Sequence, residues 1–233
     1  MRRKKATTEQ TLNLQSLQER IRVALEEDIY RGALVPGQAI REQELCERFQ
    51  ASRTPVREAL LLMSAKGLIR IQPRSGIYVS ELDAREIIAI MEGLAELEAV
   101  LARLAAQRIT EALQAKLLTY LGETEQHAHT VNPEAYVQAN AGFHDVIYQA
   151  SGNDYIVEQT KNARLLTAPY RTHMFAKPER LLASHAEHEL IAQAIMARDG
   201  EKAAQLMRAH ILAGGQAFAD AVLRASDLRR QVH

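Results

Sequence analysis

The sequence contains no tryptophan, four phenylalanines, one cysteine and no long apolar run. Without a stretch of about 18 apolar residues, no transmembrane helix is expected. The single cysteine, Cys46, excludes an internal disulfide, fits a reducing cytoplasm, and reads as structural beside Leu45. The start MRRKKATTEQ is basic, but no apolar segment follows it, so it does not read as a secretory signal. A GxSxG nucleophile motif is also missing. Net charge is zero, with 29 Lys and Arg against 29 Asp and Glu, yet the charge is unevenly spread. Residues 1–80 carry 14 basic against 9 acidic side chains, and the remainder carries 15 against 20. A basic front and an acidic rear suit a front portion that meets a polyanion, although chance unevenness gives the same numbers.

What is present is mostly helical periodicity. Residues 1–10 are polar and basic and are expected to form a disordered arm. From about Leu14 to Tyr30, the apolar residues Leu17, Ile21, Leu25 and Ile29 recur every four positions, which predicts an amphipathic helix. Gly32 ends it, and LVPGQAI reads as a Pro-Gly turn. A short helix is expected over Glu42–Phe49 with Leu45 and Phe49 inward. The stretch SRTPVREALLLMSAKGLI follows, with Ser52 as N-cap. Its Ala59, Leu60, Met63 and Leu68 can face a core, while Ser52, Arg53, Thr54 and Arg57 gather at the positive end of the helix dipole. After Gly67 the period becomes two. Ile69, Ile71, Ile77 and Val79 alternate around Pro73-Arg74-Ser75-Gly76, which predicts a β-hairpin with a basic tip.

Three helices followed by a hairpin make a winged helix-turn-helix over residues 1–80. Arg53 and Arg57 lie four apart on one helical face, so both can enter a major groove, where an arginine pairs with a guanine edge. The competing reading for Arg57 is an ion pair with Glu58 or Glu44. The pattern PG..I.E.EL...F..SRTPVREAL..L...GLI...P..G.YV, spanning Pro36 to Val79, resembles the N-terminal domain of GntR-family transcription regulators. Met63 stands where that family often has leucine. The resemblance implies a double-stranded DNA operator as partner. It implies Arg53, Thr54 and Arg57 on bases or phosphates, and Ser52 on a phosphate at the helix start. Arg74 and Gly76 fall on the tip where the family's wing approaches the minor groove. Arg41 is a weaker phosphate candidate, and Gln43 stands where some relatives carry a DNA-contacting arginine.

Residues 81–85 read as a short connection. Beyond it, over 84–233, six helical patterns lie near 84–107, 110–130, 133–150, 153–175, 178–199 and 201–226, with no strand signal. Thr110 and Pro133 start helices, Ser151-Gly152-Asn153 separates two, and Asp199-Gly200 turns a helical hairpin. The expected fold is therefore mainly α: a winged helix-turn-helix followed by an all-α six-helix bundle.

All eight histidines lie after residue 126. His188 and His210 are each 11 residues from Asp199, which places them at equal height on facing helices. His144 sits mid-helix with Asn140 one turn before it. Three imidazoles and one i−4 side chain make a workable divalent-metal site, and satisfied core histidines are the alternative. The nearby acids Asp145, Glu187 and Glu189 point to other helical faces than their neighbouring histidines, so a hydrolase's general base is missing.

The pattern N..FH......GN followed by H..L..AI...D...A...M..H resembles the FCD effector domain of the FadR subfamily. That resemblance implies a homodimer and a metal, zinc, nickel or a similar ion, on His144, His188 and His210. Asn140 stands where many relatives have aspartate. A site of three neutral imidazoles keeps the ion's charge and open positions, so an anionic effector, an organic acid, can complete it. Arg164, Arg171 and Tyr170 are candidates to hold its carboxylate, with surface placement the alternative. Leu94 stands where the family commonly has an arginine.

Overall fold

The computed structural model describes residues 16–171, 175 and 177–214. The expected arm over 1–10 and the ends of two expected helices, 172–174 and 215–226, lie outside the described residues. The chain divides into two compact units, Met1–Leu82 and Asp83–His233.

In the first unit, helix α1 spans Leu17–Tyr30 and Ser16 caps it, its hydroxyl accepting from the Glu19 amide. Ile21, Leu25 and Ile29 are buried because their spacing of four keeps them on one face. Strand β1 (Ala39–Ile40), helix α2 (Glu42–Phe49) and helix α3 (Arg53–Ala65) follow. Val56, Ala59, Leu60 and Met63 of α3 complete the core against α1. Strands β2 (Ile69–Gln72) and β3 (Gly76–Val79) form the hairpin.

The sheet has three strands in the order β1-β3-β2, all antiparallel, with Ala39 opposite Tyr78 and Ile40 opposite Ile77. The segment read only as a Pro-Gly turn therefore ends in a strand. Two residues are too few to show a period, and β1 is specified by its partner. Ile69 and Val79 are buried while Ile71 is 40% exposed, so the hairpin core ends at Ile69 and Val79. The tip turns through Arg74 at φ 64° and Gly76 at φ 134°, the second a conformation that suits glycine.

The second unit contains α4 (Ala84–Arg108), α5 (Glu111–His129), α6 (Pro133–Ser151), α7 (Asp154–Arg171), α8 (Pro178–Met196) and α9, residues 200–214. Asp83 and Glu86 close a capping box at the start of α4, so Ala84 and Arg85 belong to the helix and not to the connection. Thr110 caps α5, and Asn132 caps α6 ahead of Pro133. Helix α4 is the central element, packed against α6, α7 and α8, while α5 packs on α6 and α8. Gly142 permits the close approach of α6 to α5, since a Cβ there would lie 2.2 Å from the Tyr120 ring. His144 lies two residues beyond this contact on the same helix.

Candidate functional site

His144 from α6, His188 from α8 and His210 from α9 converge in the second unit. One ring nitrogen from each lies within 4.8 Å of the others, and all three residues are buried. The rings of His144 and His210 stack with centroids 5.4 Å apart, and Phe143 stacks on His188 at 4.4 Å.

Two carboxylates orient this cluster. His144 Nδ1–H donates to Glu98 Oε2 at 3.0 Å, and His210 Nδ1–H donates to Glu187 Oε2 at 2.6 Å. Each bond leaves the Nε2 lone pair for the interior. His188 Nε2 lies 3.2 Å from His210 Nε2, and the buried His188 Nδ1 has no partner among the described residues. Burial pushes the His144 imidazole down to about 4, with Arg164 reinforcing the shift and Glu98 opposing it. Burial holds His188 well below the usual range too, helped by neighbouring His210 and His144. Both rings are neutral at pH 7, the form that binds a metal. Three imidazoles, two of them oriented by carboxylates, fit a divalent ion by donor chemistry.

Glu98 is the residue that sequence reasoning missed. It accepts from His144, from the Tyr148 hydroxyl and from Arg164 Nε, and its side chain is fully buried. Burial alone would raise its carboxyl. Arg164 first, and then His144 and Tyr148, outweigh that and hold it well below the ordinary range. The signal was present in α4, where Met91, Leu94, Ala95, Glu98, Leu101 and Ala102 form one buried stripe. A lone acid at a core position calls for partners. Glu187, read as facing away from its neighbouring histidine, reaches across the helical hairpin to His210 and also pairs with Arg180 at 2.8 Å. Burial would raise its carboxyl, yet bonds from His210 and Arg180 lower it to about 2.

A cavity of about 30 Å³ is lined by Met91, Leu94, Asn140, His144, Arg164 and Arg180, with Phe175, His210, Ile211 and Gly214. Asn140 thus faces the same space as two of the histidines. Arg164 is not a surface residue: its charge is met by Glu98. Tyr170 is half-buried near the end of α7, and the Arg171 side chain lies outside the described residues. A larger open groove of about 440 Å³ runs along α4 and α9 past Arg103, Lys202 and Arg208, and no histidine among the described residues lines it.

In the first unit, Ser52, Arg53, Thr54 and Arg57 are exposed at the start of α3. Ser52 occupies the N-cap position, but its hydroxyl makes no cap bond. Arg57 pairs with neither Glu58 nor Glu44; its Nε donates to both oxygens of Glu42 at 3.0 and 3.1 Å. Arg53 has no ion pair among the described residues, Arg41 meets Glu44 at 3.2 Å, and Arg74 and Gly76 are exposed at the hairpin tip.

Comparison with known proteins matches both units. Residues 17–79 match the family described as bacterial regulatory proteins, gntR family, and residues 89–213 match the FCD domain. The Escherichia coli K12 HTH-type transcriptional repressor GlaR is 28% identical over 81% of this chain and 89% of its own length. The repressor RspR of the same strain is 28% identical over 88% of this chain and 90% of its own. These relatives are transcription regulators, not enzymes. The solved structure of E. coli McbR/YncC shares the fold, with a TM-score of 0.75 at 23% identity, covering 94% of this chain and all of that one. Among the described residues, no helix is long and apolar enough to cross a membrane. An exposed arginine-bearing helix beside a wing, joined in one chain to a helical unit matching the FCD domain, identifies a transcription regulator, and the chain belongs to the GntR family.

Proposed function

We propose that the protein is a cytoplasmic, ligand-responsive repressor that binds a pseudo-palindromic operator as a homodimer. The convergence of His144, His188 and His210, two of which (His144 and His210) line one small cavity, carries the ligand-responsive half of this reading. These three residues would hold zinc or nickel, with Asn140 beside them. A bound ion supplies an open position for an acid group, which makes an organic acid the effector class. Arg164 contributes through Glu98, by fixing the carboxylate that orients His144.

On the DNA side, Arg53, Thr54 and Arg57 enter the major groove, and Ser52 and Arg41 contact phosphates. Arg74 and Gly76 carry the wing to the minor groove. The freedom of Arg53 from ion pairs among the described residues supports its assignment to a base. Repression as the direction of control is supported by the names of GlaR and RspR. Effector binding shifts the population between forms of the dimer with different operator affinity.

The experiment is a gel shift on an operator selected from random DNA, in wild type and Arg53→Ala, with metal analysis of wild type and His144→Ala. Arg53→Ala should lose specific binding by about tenfold or more. His144→Ala should purify without metal. Normal operator affinity in the first variant, or retained metal in the second, overturns the corresponding half.

A further inference from the structure

Helix α3 divides its side chains between two faces. Val56, Ala59, Leu60 and Met63 are buried, while Arg53, Thr54, Arg57, Glu58 and Leu61 are exposed. At about 100° per residue, Leu61 points away from the core, nearly in line with Thr54 and between Arg57 and Glu58. Those three neighbours are polar or charged. Leu61 is nevertheless 61% exposed, more than any other large apolar side chain among the described residues of the first unit.

A lone exposed leucine is ordinary on a protein surface. Its position here is not. Leu61 lies one turn beyond Arg57 on the face assigned above to base edges, so a helix seated in the major groove carries it there with the arginines. From Arg53 to Leu61 the face runs for about two turns, a span that a reading helix lays along the groove. Leucine offers no hydrogen bond to a phosphate, a sugar or a polar base edge. The apolar group that base pairs present in the major groove is the thymine C5-methyl. Four residues advance the helix by about 6 Å, and bases stack about 3.4 Å apart, so that methyl lies within about two base pairs of the base met by Arg57.

We infer that Leu61 is a specificity-determining residue that packs on the C5-methyl of a thymine in each half-site of the operator. The inference rests on the DNA reading under Proposed function. The contact removes two apolar groups from water on binding, and it discriminates against bases that lack the methyl. Arg57 and Leu61 then read neighbouring steps of one half-site by different chemistry, a hydrogen-bonding fork and an apolar contact.

The test uses the full-length protein and an operator selected from random DNA. Deoxyuridine, which pairs as thymidine does and lacks only the methyl, replaces thymidine one position at a time in a half-site. Affinities are read by fluorescence anisotropy for wild type, Leu61→Ala and Leu61→Met. Alanine and methionine are good helix formers and the site is exposed, so both variants should keep the wild-type circular dichroism. At one position, deoxyuridine should weaken wild type by about fourfold, the worth of one methyl-sized group taken out of water. Leu61→Ala should bind thymidine DNA more weakly by a similar factor and should not respond to deoxyuridine there, while Leu61→Met should retain the response. Wild type that responds to deoxyuridine at no position overturns the inference and leaves the DNA reading standing. A response undiminished in Leu61→Ala gives the methyl to another residue and overturns the role of Leu61. If Leu61→Ala loses affinity equally on both DNAs and its sedimentation shows a smaller assembly, Leu61 packs against protein and the inference falls. Failure of wild type to select any operator overturns the DNA reading and the inference with it.

Discussion

Glu98 of α4 and His144 of α6 meet in a 3.0 Å hydrogen bond, with neither side chain more than 2% exposed. The same carboxylate meets the Arg164 guanidinium, so one buried acid orients an imidazole and neutralises a buried cation. Glu98→Gln keeps the shape and removes the charge. Zinc affinity should fall by about 10- to 100-fold, as for loss of a carboxylate behind a ligating histidine. The metal-free protein should lose about 3 kcal/mol, because Arg164 is left without its counter-charge. Competition titration and urea unfolding read the two effects, and an unchanged result in both removes Glu98 from the site.

The neutral histidines give the metal-free protein a defined acid sensitivity. An unfolded chain protonates its histidines near 6.5. Folded His144 resists until about 4, and His188 is held well below 6.5. Between those limits the unfolded state binds more protons, so stability is complete above pH 6.5 and drains away as the pH falls toward 4. Below that, Glu98 and Glu187, both held low by their partners, add to the loss. Thermal melts of chelator-treated protein from pH 8 to pH 4 should show this decline. In His144→Gln the decline between pH 6.5 and 4 should be shallower, and an equal slope would refute buried neutral His144.

The winged helix-turn-helix was legible because each of its parts carries a local signal: a spacing of four in α1, caps and a basic start around α3, and alternation in the hairpin. Strand β1 was not, since Ala39 and Ile40 become a strand only through Tyr78 and Ile77. The histidine geometry followed from equal distances to the Asp199 turn, a property of helix rise alone. What lay beyond sequence was the partnering of acids and cations. Glu187 neighbours His188 in sequence but bonds His210 on the next helix. Arg180 entered no reading, because its cavity is assembled from residues on α4, α6, α7, α8 and α9.

The ion pair of Glu42 with Arg57 bears on sequence reading by the first unit. Glu42 occupies Nε, and neither Nη1 nor Nη2 is bonded among the described residues, so the end of the guanidinium is presented to solvent. An end-on fork suits guanine O6 and N7. Exposed pairs contribute little because solvent screens them, so Glu42→Gln should lower the ratio of operator to scrambled-DNA affinity by about fivefold at most. Binding to scrambled DNA should rise, because a negative charge near the phosphates is removed. If the ratio stays constant while both affinities rise together, Glu42 acts only as a repulsive charge and does not position Arg57.

Gly142 tests whether the contact between α5 and α6 sets the position of His144, two residues further on. Alanine improves helix propensity by about 1 kcal/mol. Its Cβ would nevertheless lie 2.2 to 2.6 Å from three atoms of the Tyr120 ring, which forces a shift. Overpacking of this kind costs about 1–3 kcal/mol, so the clash should win and Gly142→Ala should be net destabilising. For a protein of this size the melting temperature should fall by a few degrees. If the strain moves α6, zinc affinity should fall with it. The double variant Gly142→Ala with Tyr120→Leu clears the ring from the new methyl and should recover both properties, a coupling that a double-mutant cycle isolates. Recovery of stability without recovery of zinc affinity would show that this contact holds the helices together without aiming the histidine.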